Sequence, residues 1–295
     1  MDHKINLMNP RTKAELFLLA CTLIWGATFI TIKSSLSEVS PLVLITLRFG
    51  IAAALFVPFC FSTLLKIEKT AVLEGWILGL LLFASFATQT IGLEYTSASK
   101  SGFITGMLVV FTPIFQLLIE RRPPKLGNVI GVILVTLGLY GLTAPKGAEF
   151  NRGDGLTLLS AGISGLYIVY LDLFSKKHDA AQLTFLQMAA TVALAACGAA
   201  LFERRQVILS SHFLLALAYL SIMATLLTLH LQTRFQRQTT PTRAAIIFSL
   251  EPLFSAAFAH VFGNEIIGGL SLLGGAMIVA GLIISELSDV IFPEQ

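Results

Sequence analysis

The chain has 295 residues, of which 55% are hydrophobic and 13% charged, and its mean hydropathy is +0.82. This composition is typical of an integral membrane protein and excludes a soluble enzyme or a disulfide-stapled secreted domain. The net charge of +3 is too small to indicate a nucleic-acid partner.

Ten apolar runs follow one another along the chain, each near the roughly 20 residues that cross a ~30 Å hydrocarbon layer. They lie at Glu15 to Ile32, Pro41 to Leu65, Leu73 to Gly92, Ser101 to Ile119, Leu126 to Leu142, Gly155 to Phe174, Ala180 to Leu201, Phe213 to Gln232, Thr242 to Phe262 and Ile266 to Ser285. Backbone polar groups in lipid must be satisfied within each segment, so the predicted fold is all-α with ten transmembrane helices. The first run lacks a small-residue cleavage site after it and is interpreted as a retained helix.

Basic residues are distributed unevenly between the two sides of these predicted helices. With the amino terminus inside, thirteen of the twenty Lys and Arg lie on the cytoplasmic side and six on the other, while Arg48 lies within a span. Cytoplasmic loops of membrane proteins carry the excess of Lys and Arg. The pattern therefore predicts a multi-pass protein with both termini in the cytoplasm.

The two halves of the sequence repeat weakly. An offset of 143 residues superposes Gly131 on Gly274 and Gly138 on Gly281. Each half holds five spans, and an odd number forces the second unit to enter the membrane from the opposite side. Inverted pairs of this kind build secondary transporters with a site near the midplane. The predicted organisation is a first five-helix repeat at 1–142, a linker loop at 143–154 and a second repeat at 155–295.

Two charged residues fall inside predicted spans. Arg48 lies ~10 Å deep by the helical rise, where it could bind a substrate carboxylate bidentately or act as a buried structural arginine. Glu251 lies ~14 Å deep in the ninth span and is the candidate proton-coupling group. The alternative is that Arg48 and Glu251 neutralise each other as a structural ion pair or a gate.

Pro113 and Pro252 are expected to interrupt the fourth and ninth spans, because each frees a carbonyl four residues earlier. Broken helices mark transporter sites, although a kink with only a packing role is the alternative. Aromatic and neutral polar residues supply further candidate cavity lining, with lipid contact or helix packing as the alternative for each. They are Trp25, Trp76, Gln89, Phe103, Gln116, Tyr167, Tyr170, Gln187, Thr228 and His230.

The sequence gives no positive sign of enzyme, metal or cofactor chemistry. Cys21, Cys60 and Cys197 lie inside apolar runs and are interpreted as small hydrophobic residues. Phosphate-binding glycine loops, paired metal ligands and a Ser/His/Asp order are absent from the sequence. We therefore expect no catalytic site, no cofactor and no metal.

Several short segments together carry a family resemblance that covers essentially the whole chain. They are Leu23 to Phe29, Leu47 to Phe49, Ser97 to Ser101, Pro113, Thr242 to Ala245 and Leu250 to Pro252. In order, spacing and duplication they resemble the EamA family of the drug/metabolite transporter superfamily. The resemblance implies an inverted repeat of five helices, cytoplasmic termini and export of metabolites such as amino acids across the bacterial inner membrane.

The resemblance also marks Trp25, Arg48, Pro113, Glu251 and Pro252 as positions of the family pattern. The first unit departs from that pattern after Pro113, where residues 120–124 replace a longer helix end before a Gly-Glu pair. The second unit keeps such an end at residues 263–265.

The predicted function is a secondary transporter that exports small organic metabolites by alternating access, with amino acids or amphipathic and aromatic compounds as substrates. The expected partners are a small-molecule substrate, the lipid bilayer and protons as a candidate coupling ion, with the chain a monomer or homodimer. One alternative is an antiporter of phosphorylated or nucleotide-linked sugars, which would need several cations in its cavity. The alternatives outside transport are a membrane-embedded enzyme and a sensory bundle.

Overall fold

The computed structural model of the protein describes residues 9–143, 150–203, 207–263 and 269–291. Within these ranges the chain is helical, and an isolated antiparallel bridge joins Val39 to Val207. The helices are α1 (Pro10–Trp25), α2 (Thr28–Ser35), α3 (Pro41–Leu64), α4 (Lys69–Tyr95), α5 (Ala98–Gly106), α6 (Leu108–Glu120), α7 (Leu126–Thr143), α8 (Arg152–Ser175), α9 (Ala180–Phe202), α10 (Ser211–Ala218), a π-helical segment (Tyr219–Leu227), α11 (Thr228–Phe235), a 3₁₀ turn (Gln236–Gln238), α12 (Pro241–Phe248), α13 (Glu251–Gly263) and α14 (Gly269–Ile291).

Each of the ten predicted spans coincides with a helical run, so the all-α prediction is confirmed for the described residues. Seven runs are long and apolar enough, by length and composition, to cross a membrane, and two shorter apolar helices lie at Leu126–Gly141 and Leu272–Ser285. The ninth run is divided into α12 and α13. Residues 144–149 of the predicted linker and 264–268, which include the start of the predicted tenth span, lie outside the described residues.

Polar caps and prolines define where many of these helices begin. The Asn151 side chain accepts hydrogen bonds from the N–H groups of Gly153 and Asp154, while Asp154 returns one to the Asn151 N–H in a capping box. The Asp179 carboxylate caps α9 by accepting hydrogen bonds from the N–H groups of Ala181 and Gln182. Pro41 and Pro241 occupy the first positions of α3 and α12, where the missing N–H costs no helical hydrogen bond.

Successive helical runs are connected alternately at the two ends of the bundle. We define face A as the end that holds residues 35–41, 95–98, 202–203 and 207–211, and face B as the end that holds residues 64–69, 120–126 and 175–180. On face A the Ile208 N–H donates to the Glu38 carbonyl. On face B the Gln182 side chain, near the start of α9, donates to the Thr63 carbonyl, near the end of α3. Consecutive runs therefore cross the bundle in opposite directions.

Glycines bring α7 and α14 into backbone contact. A Cβ atom built on Gly138 would lie 2.6 Å from the Gly274 carbonyl oxygen, and one on Gly131 would lie 2.8 Å from the Gly281 carbonyl oxygen. Real Cβ atoms do not approach this closely, so any larger residue would force the two helices apart. Elsewhere in the bundle, α4 packs against α8 and α9, and α3 packs against α9 and the π-helical segment.

Three of the helical runs are broken within the bundle. The first run is divided at Gly26, the fourth at Met107, and the ninth between Phe248 and Glu251. Pro252 lies at the start of α13 as expected for a helix-breaking residue, but Pro113 lies inside α6 and not at the break. The expectation that Pro113 interrupts the fourth span is thus corrected, because the helix ends earlier, beside Met107.

Candidate functional site

A cavity lies between the central helices and holds about 810 Å³ of empty space, including the part that opens outward. Its walls come from both halves of the chain. The lining residues are Trp25, Thr28, Ile32, Arg48, Phe49, Leu82, Ser85, Phe86, Gln89, Thr105, Leu108, Ser164, Tyr167, Ile168, Ala224, Thr225, Thr228, Leu229, Gln232, Phe248 and Glu251. Six of the predicted site residues are therefore brought together: Trp25, Arg48, Gln89, Tyr167, Thr228 and Glu251.

Arg48 is held in the cavity wall by the π-helical segment. Its side chain is 2% exposed, its Nε atom donates to the Thr225 hydroxyl, and its Nη2 atom donates to the Ala224 carbonyl at 2.9 Å. The guanidinium carbon also lies 4.8 Å from the centre of the Phe86 ring, within range of a cation–π contact. These contacts fix the position of the guanidinium, and no described residue accepts a hydrogen bond from its Nη1 atom.

The π-helical geometry explains why the Ala224 carbonyl can accept external hydrogen bonds. The Thr228 N–H donates to the carbonyls of Met223 and Thr225 and not to Ala224, the acceptor that a regular α-helix would use. The Ala224 carbonyl accepts instead from Arg48 and from the indole Nε1 of Trp25 at 3.2 Å. The indole also donates to the Thr228 hydroxyl at 3.1 Å. One irregular turn thus anchors two of the predicted site residues.

Glu251 is the first residue of α13 and lines the same cavity as Arg48. A carboxylate at this position is stabilised by the amino-terminal end of the helix dipole. Among the described residues, no hydrogen bond and no ion pair within 4.0 Å reaches this carboxylate, so it does not pair directly with Arg48. The cavity therefore contains separate acidic and basic groups.

Aromatic rings form much of the remaining wall. Trp25 packs edge-on against Phe248 with ring centres 5.3 Å apart, and Phe49 packs edge-on against Phe86 at 5.1 Å. Such pairs give rigid apolar surfaces against which a hydrophobic ligand can pack. The cavity can accordingly hold a molecule that is apolar in one part and charged in another.

Hydroxyl and amide groups cover another part of the wall. Gln89 Nε2 donates to the Thr105 hydroxyl at 3.1 Å. Ser85 of α4 contacts Ser164 of α8 at 2.6 Å between hydroxyl oxygens, and both residues line the cavity. The sequence did not indicate Ser85, Thr105, Ser164 or Thr225 as lining residues. Single hydroxyls are common in transmembrane helices and give no pattern that separates lining from packing.

Gln187 lies behind the cavity wall. Its Oε1 atom accepts from the Tyr167 hydroxyl at 2.7 Å, and its Nε2 atom donates to Thr233 at 2.9 Å. Gln187 is fully buried and does not line the cavity. It therefore orients Tyr167, a lining residue, and is not placed to contact a ligand directly.

His230 and the two prolines also lie away from the lining. The His230 ring packs 5.2 Å from the Phe56 ring and contacts the Thr184 hydroxyl at 3.4 Å. Pro113 is within α6, and Pro252 packs near Gly106 at the break of the fourth run. A ligand in the cavity would not contact His230, Pro113 or Pro252 in the arrangement described.

Polar contacts join the helices at both faces of the bundle. At face A, the buried Asp154 carboxylate contacts Lys100 Nζ at 2.6 Å and accepts from the Thr96 hydroxyl at 2.6 Å. At face B, Glu15 Oε1 accepts from Arg11 Nε at 3.0 Å and from the Thr239 hydroxyl at 2.9 Å. The Lys100–Asp154 contact connects the first predicted repeat to the last residue of the predicted linker, and the Glu15–Thr239 contact connects the first predicted repeat to the second.

Comparison with known proteins agrees with a membrane transporter. The sequence model described as the EamA-like transporter family matches residues 12–144 and 151–287. An uncharacterized transporter of Archaeoglobus fulgidus is 33% identical over 277 residues, which cover 94% of this chain and 87% of the relative. The uncharacterized transporter YcxC of Bacillus subtilis is 25% identical over 301 residues, with 95% of each chain covered.

Two further similarities bear on location and fold. The uncharacterized inner membrane transporter YedA of Escherichia coli K12 is 22% identical over 284 residues, covering 94% of this chain and 92% of YedA. A crystal structure superposes with a TM-score of 0.80 at 20% identity, covering 96% of this chain and 100% of the other. At that identity the superposition supports the fold alone. Together, the family and these relatives point to a transporter and not to an enzyme.

Proposed function

The chain belongs to the EamA-like transporter family, and from that premise we propose that it is a secondary transporter that exports a small organic metabolite by alternating access. The observation that carries the proposal is the position of Arg48, whose buried guanidinium lines a cavity inside the helical bundle. A buried charge in a membrane protein is costly unless it serves structure or function. Here its anchors leave donors available to a bound anion.

The preferred substrate class is an aromatic or amphipathic amino acid. The Arg48 guanidinium would bind its carboxylate, Glu251 would attract its ammonium group, and the rings around Trp25 and Phe86 would contact its side chain. The same carboxylate at Glu251 is our candidate for proton coupling, because a substrate cation and a proton would compete for one acidic group.

The proposed mechanism uses two inverted five-helix repeats, at 1–142 and 155–295, joined by the linker at 143–154. Two features support the repeat. The 143-residue offset relates Gly131 to Gly274 and Gly138 to Gly281. It therefore relates the close contact of Gly131 with Gly281 to the close contact of Gly274 with Gly138. The breaks at Met107 and next to Leu250 correspond under the same offset. If the two equivalent repeats exchanged their conformations, the cavity would open to each face in turn.

We also propose that face B is cytoplasmic, with both termini inside, and that the protein resides in a bacterial inner membrane. The excess of Lys and Arg in the connections of that face supports the orientation. The relative YedA, described as an inner membrane transporter, supports the location.

Thermal stabilisation of the detergent-purified protein tests the proposal. L-phenylalanine should raise the melting temperature by binding to the folded state. Arg48→Gln should weaken this binding about tenfold or more, because it removes a charge-assisted hydrogen bond worth about 1.5 to 3 kcal/mol. Arg122→Gln, which removes an exposed positive charge, is the matched control and should bind L-phenylalanine as the unmodified protein does.

The same assay decides between this proposal and the sugar-phosphate antiporter. Among the described residues that line the cavity, Arg48 alone is a lysine or arginine, which does not favour a doubly charged phosphate. Stabilisation by sugar phosphates or nucleotides, without any by amino acids, would replace the exporter proposal with the antiporter.

A further inference from the structure

Two glutamines connect the cavity wall to α8. Gln232 of α11 lines the cavity and is 3% exposed, whereas Gln236, in the following 3₁₀ turn, is fully buried and does not line it. Gln232 Nε2 donates to Gln236 Oε1 at 3.0 Å, and Gln236 Nε2 donates to the Ile168 carbonyl oxygen at 2.7 Å. We call Gln232 and Gln236 the glutamine pair.

The Ile168 carbonyl fixes the orientation of both amides in the glutamine pair. A main-chain carbonyl oxygen only accepts hydrogen bonds, so the part of Gln236 that faces it is the NH₂ group. The oxygen of the same amide then faces Gln232, which must donate to it through Nε2. Turning either amide around would bring two acceptor oxygens into contact. Gln232 therefore uses its nitrogen within the wall.

This orientation leaves the Gln232 oxygen for a ligand. Among the described residues, no donor forms a hydrogen bond with Gln232 Oε1, and they do not enclose this oxygen completely. Because the side chain is otherwise buried and lines the cavity, the accessible part of the oxygen faces the cavity. A ligand that covers an acceptor without supplying a donor loses binding free energy. This point of the wall thus favours a ligand that carries an O–H or N–H group.

The distance from Arg48 indicates which end of a ligand reaches Gln232. Gln232 lies seven residues after Thr225, which accepts from Arg48 Nε, so it lies about 10 Å further along the helical run. The carboxylate and ammonium of one amino acid are separated by a single carbon and cannot span this distance. It is comparable to the length of tyrosine from carboxylate to phenol oxygen. Trp25, which donates to Thr228 at an intermediate level, supplies a ring surface between the two ends.

We infer that Gln232 is a specificity-determining residue that accepts a hydrogen bond from an O–H or N–H group at the far end of an aromatic amino acid, as in the phenol of tyrosine. Gln236 is a positioning residue that holds the Gln232 amide in this orientation. The inference rests on the proposed function, because it takes the Arg48 guanidinium as the site of the substrate carboxylate. It predicts a preference for tyrosine over phenylalanine, which has the same carboxylate, ammonium and ring.

The test compares three amino acids that differ only at the far end of the ring. L-tyrosine carries a hydroxyl there, L-phenylalanine carries hydrogen, and 4-methoxy-L-phenylalanine carries an oxygen that can accept but not donate. Dissociation constants are measured by calorimetry for the purified protein and for Gln232→Met and Gln236→Met. Methionine keeps the unbranched shape of glutamine, but its thioether is only a weak acceptor.

Gln182→Met is the matched control. Gln182 is also a buried amide that donates to a main-chain carbonyl, that of Thr63, but it does not line the cavity. Its replacement removes the same kind of hydrogen bond from the bundle at a distance from the proposed contact. Melting temperatures of all three variants show whether each is folded before its binding is compared.

We expect the unmodified protein to bind L-tyrosine at least about five times more tightly than L-phenylalanine, the effect of one hydrogen bond, and 4-methoxy-L-phenylalanine no more tightly than L-phenylalanine. Gln232→Met should reduce the preference for L-tyrosine to less than about twofold without weakening L-phenylalanine binding. Gln236→Met should also reduce this preference, because the Gln232 amide can then turn, whereas Gln182→Met should retain it. A purely structural effect would weaken the binding of L-tyrosine and L-phenylalanine alike.

The contrary outcomes separate this inference from the proposed function. If L-tyrosine and L-phenylalanine bind equally, if the methoxy compound binds as tightly as L-tyrosine, or if Gln232→Met retains the preference, the inference about Gln232 is wrong. The proposed function then stands when Arg48→Gln weakens the binding of both natural amino acids. A preference that Gln236→Met leaves intact would remove Gln236 from the inference. If the unmodified protein binds none of the three amino acids, or binds them independently of Arg48, the proposed function is overturned and the inference with it.

Discussion

Asp154 is the most thoroughly paired carboxylate at face A. Its side chain is fully buried, contacts Lys100 at 2.6 Å and accepts hydrogen bonds from the Thr96 hydroxyl and the Asn151 N–H. Each of these three contacts brings a hydrogen-bond donor to the carboxylate. The position therefore requires a side chain that accepts hydrogen bonds and carries a negative charge. Loss of this negative charge would remove the ion pair with Lys100, whose side chain is only 16% exposed.

Asp154→Asn should therefore destabilise the protein by about 3 to 5 kcal/mol, the typical cost of breaking a buried ion pair from one side. The unfolding free energy in detergent measures the effect. Asp179→Asn is the matched control, because Asp179 is an exposed helix cap and asparagine caps equally well. Equal stability of the two variants would show that the Lys100 contact does not hold face A together.

Glu38 gives face A a dependence on pH. Hydrogen bonds from the Ser210 hydroxyl and from His212, whose Nδ1 lies 3.1 Å from Glu38 Oε1, hold the pKa of Glu38 below its usual value. A lowered pKa in the folded state stabilises the protein at all pH values above the usual value. That stabilisation is lost as the pH falls through the lower, folded-state pKa.

The melting temperature of Glu38→Gln should accordingly be lower than that of the unmodified protein near pH 7, and the difference should shrink below about pH 4, in the range where glutamate ordinarily titrates. Melting curves at a series of pH values measure it. A difference that stays constant down to about pH 3 would contradict the assigned role of the carboxylate.

The contact of α7 with α14 depends on glycine. Gly138→Ala would place a methyl group against the Gly274 backbone and should destabilise the protein by about 1 to 3 kcal/mol, as overpacked sites do. Gly162→Ala in α8 is the matched control, because no atom lies within 4 Å of its new methyl group. Alanine is favoured over glycine in a helix, so the control should melt at the same or a higher temperature. The reverse ranking would show that the close contact is not required.

The helical elements were predictable because lipid demands long apolar runs, and the ten predicted spans all form helices in the described residues. The irregular turns were not predictable from the sequence. Residues 219–227 are mostly apolar, and their π-helical geometry is matched to Trp25 and Arg48, which approach from α1 and α3. A contact between distant segments leaves no trace in local hydrophobicity. The position of Pro113 likewise suggested a break at Pro113 itself, whereas the fourth run is divided at Met107.

The candidate site was predictable where a residue is costly in a membrane. Arg48 and Glu251 are charged residues in apolar runs, and both line the cavity. Neutral residues carry a weaker signal: Gln187 and His230 lie outside the lining, whereas Ser164, which was not predicted, is part of it. Only the arrangement of the helices separates a hydroxyl that lines the cavity from one that packs.

At the scale of the whole molecule, the cavity is lined by residues from both regions that match the family model, 12–144 and 151–287. Polar contacts join these two regions at both faces. The Lys100 to Asp154 pair joins the halves at face A, and the Glu15 to Thr239 hydrogen bond joins them at face B. Alternating access requires that the contacts at one face break while those at the other persist. The proposed export thus requires that the same cavity residues be reachable from both sides of the membrane.

Cysteine accessibility in oriented vesicles tests this requirement most directly. Thr28→Cys places a thiol in the cavity lining, in a background where the three native cysteines are replaced by alanine. Ser37→Cys and Lys66→Cys, exposed at faces A and B, are the controls and should each react with a membrane-impermeant thiol reagent from one side only. Alternating access predicts that Thr28→Cys reacts from both sides, at rates that L-phenylalanine lowers. Reaction from a single side, with and without L-phenylalanine, would contradict transport by alternating access.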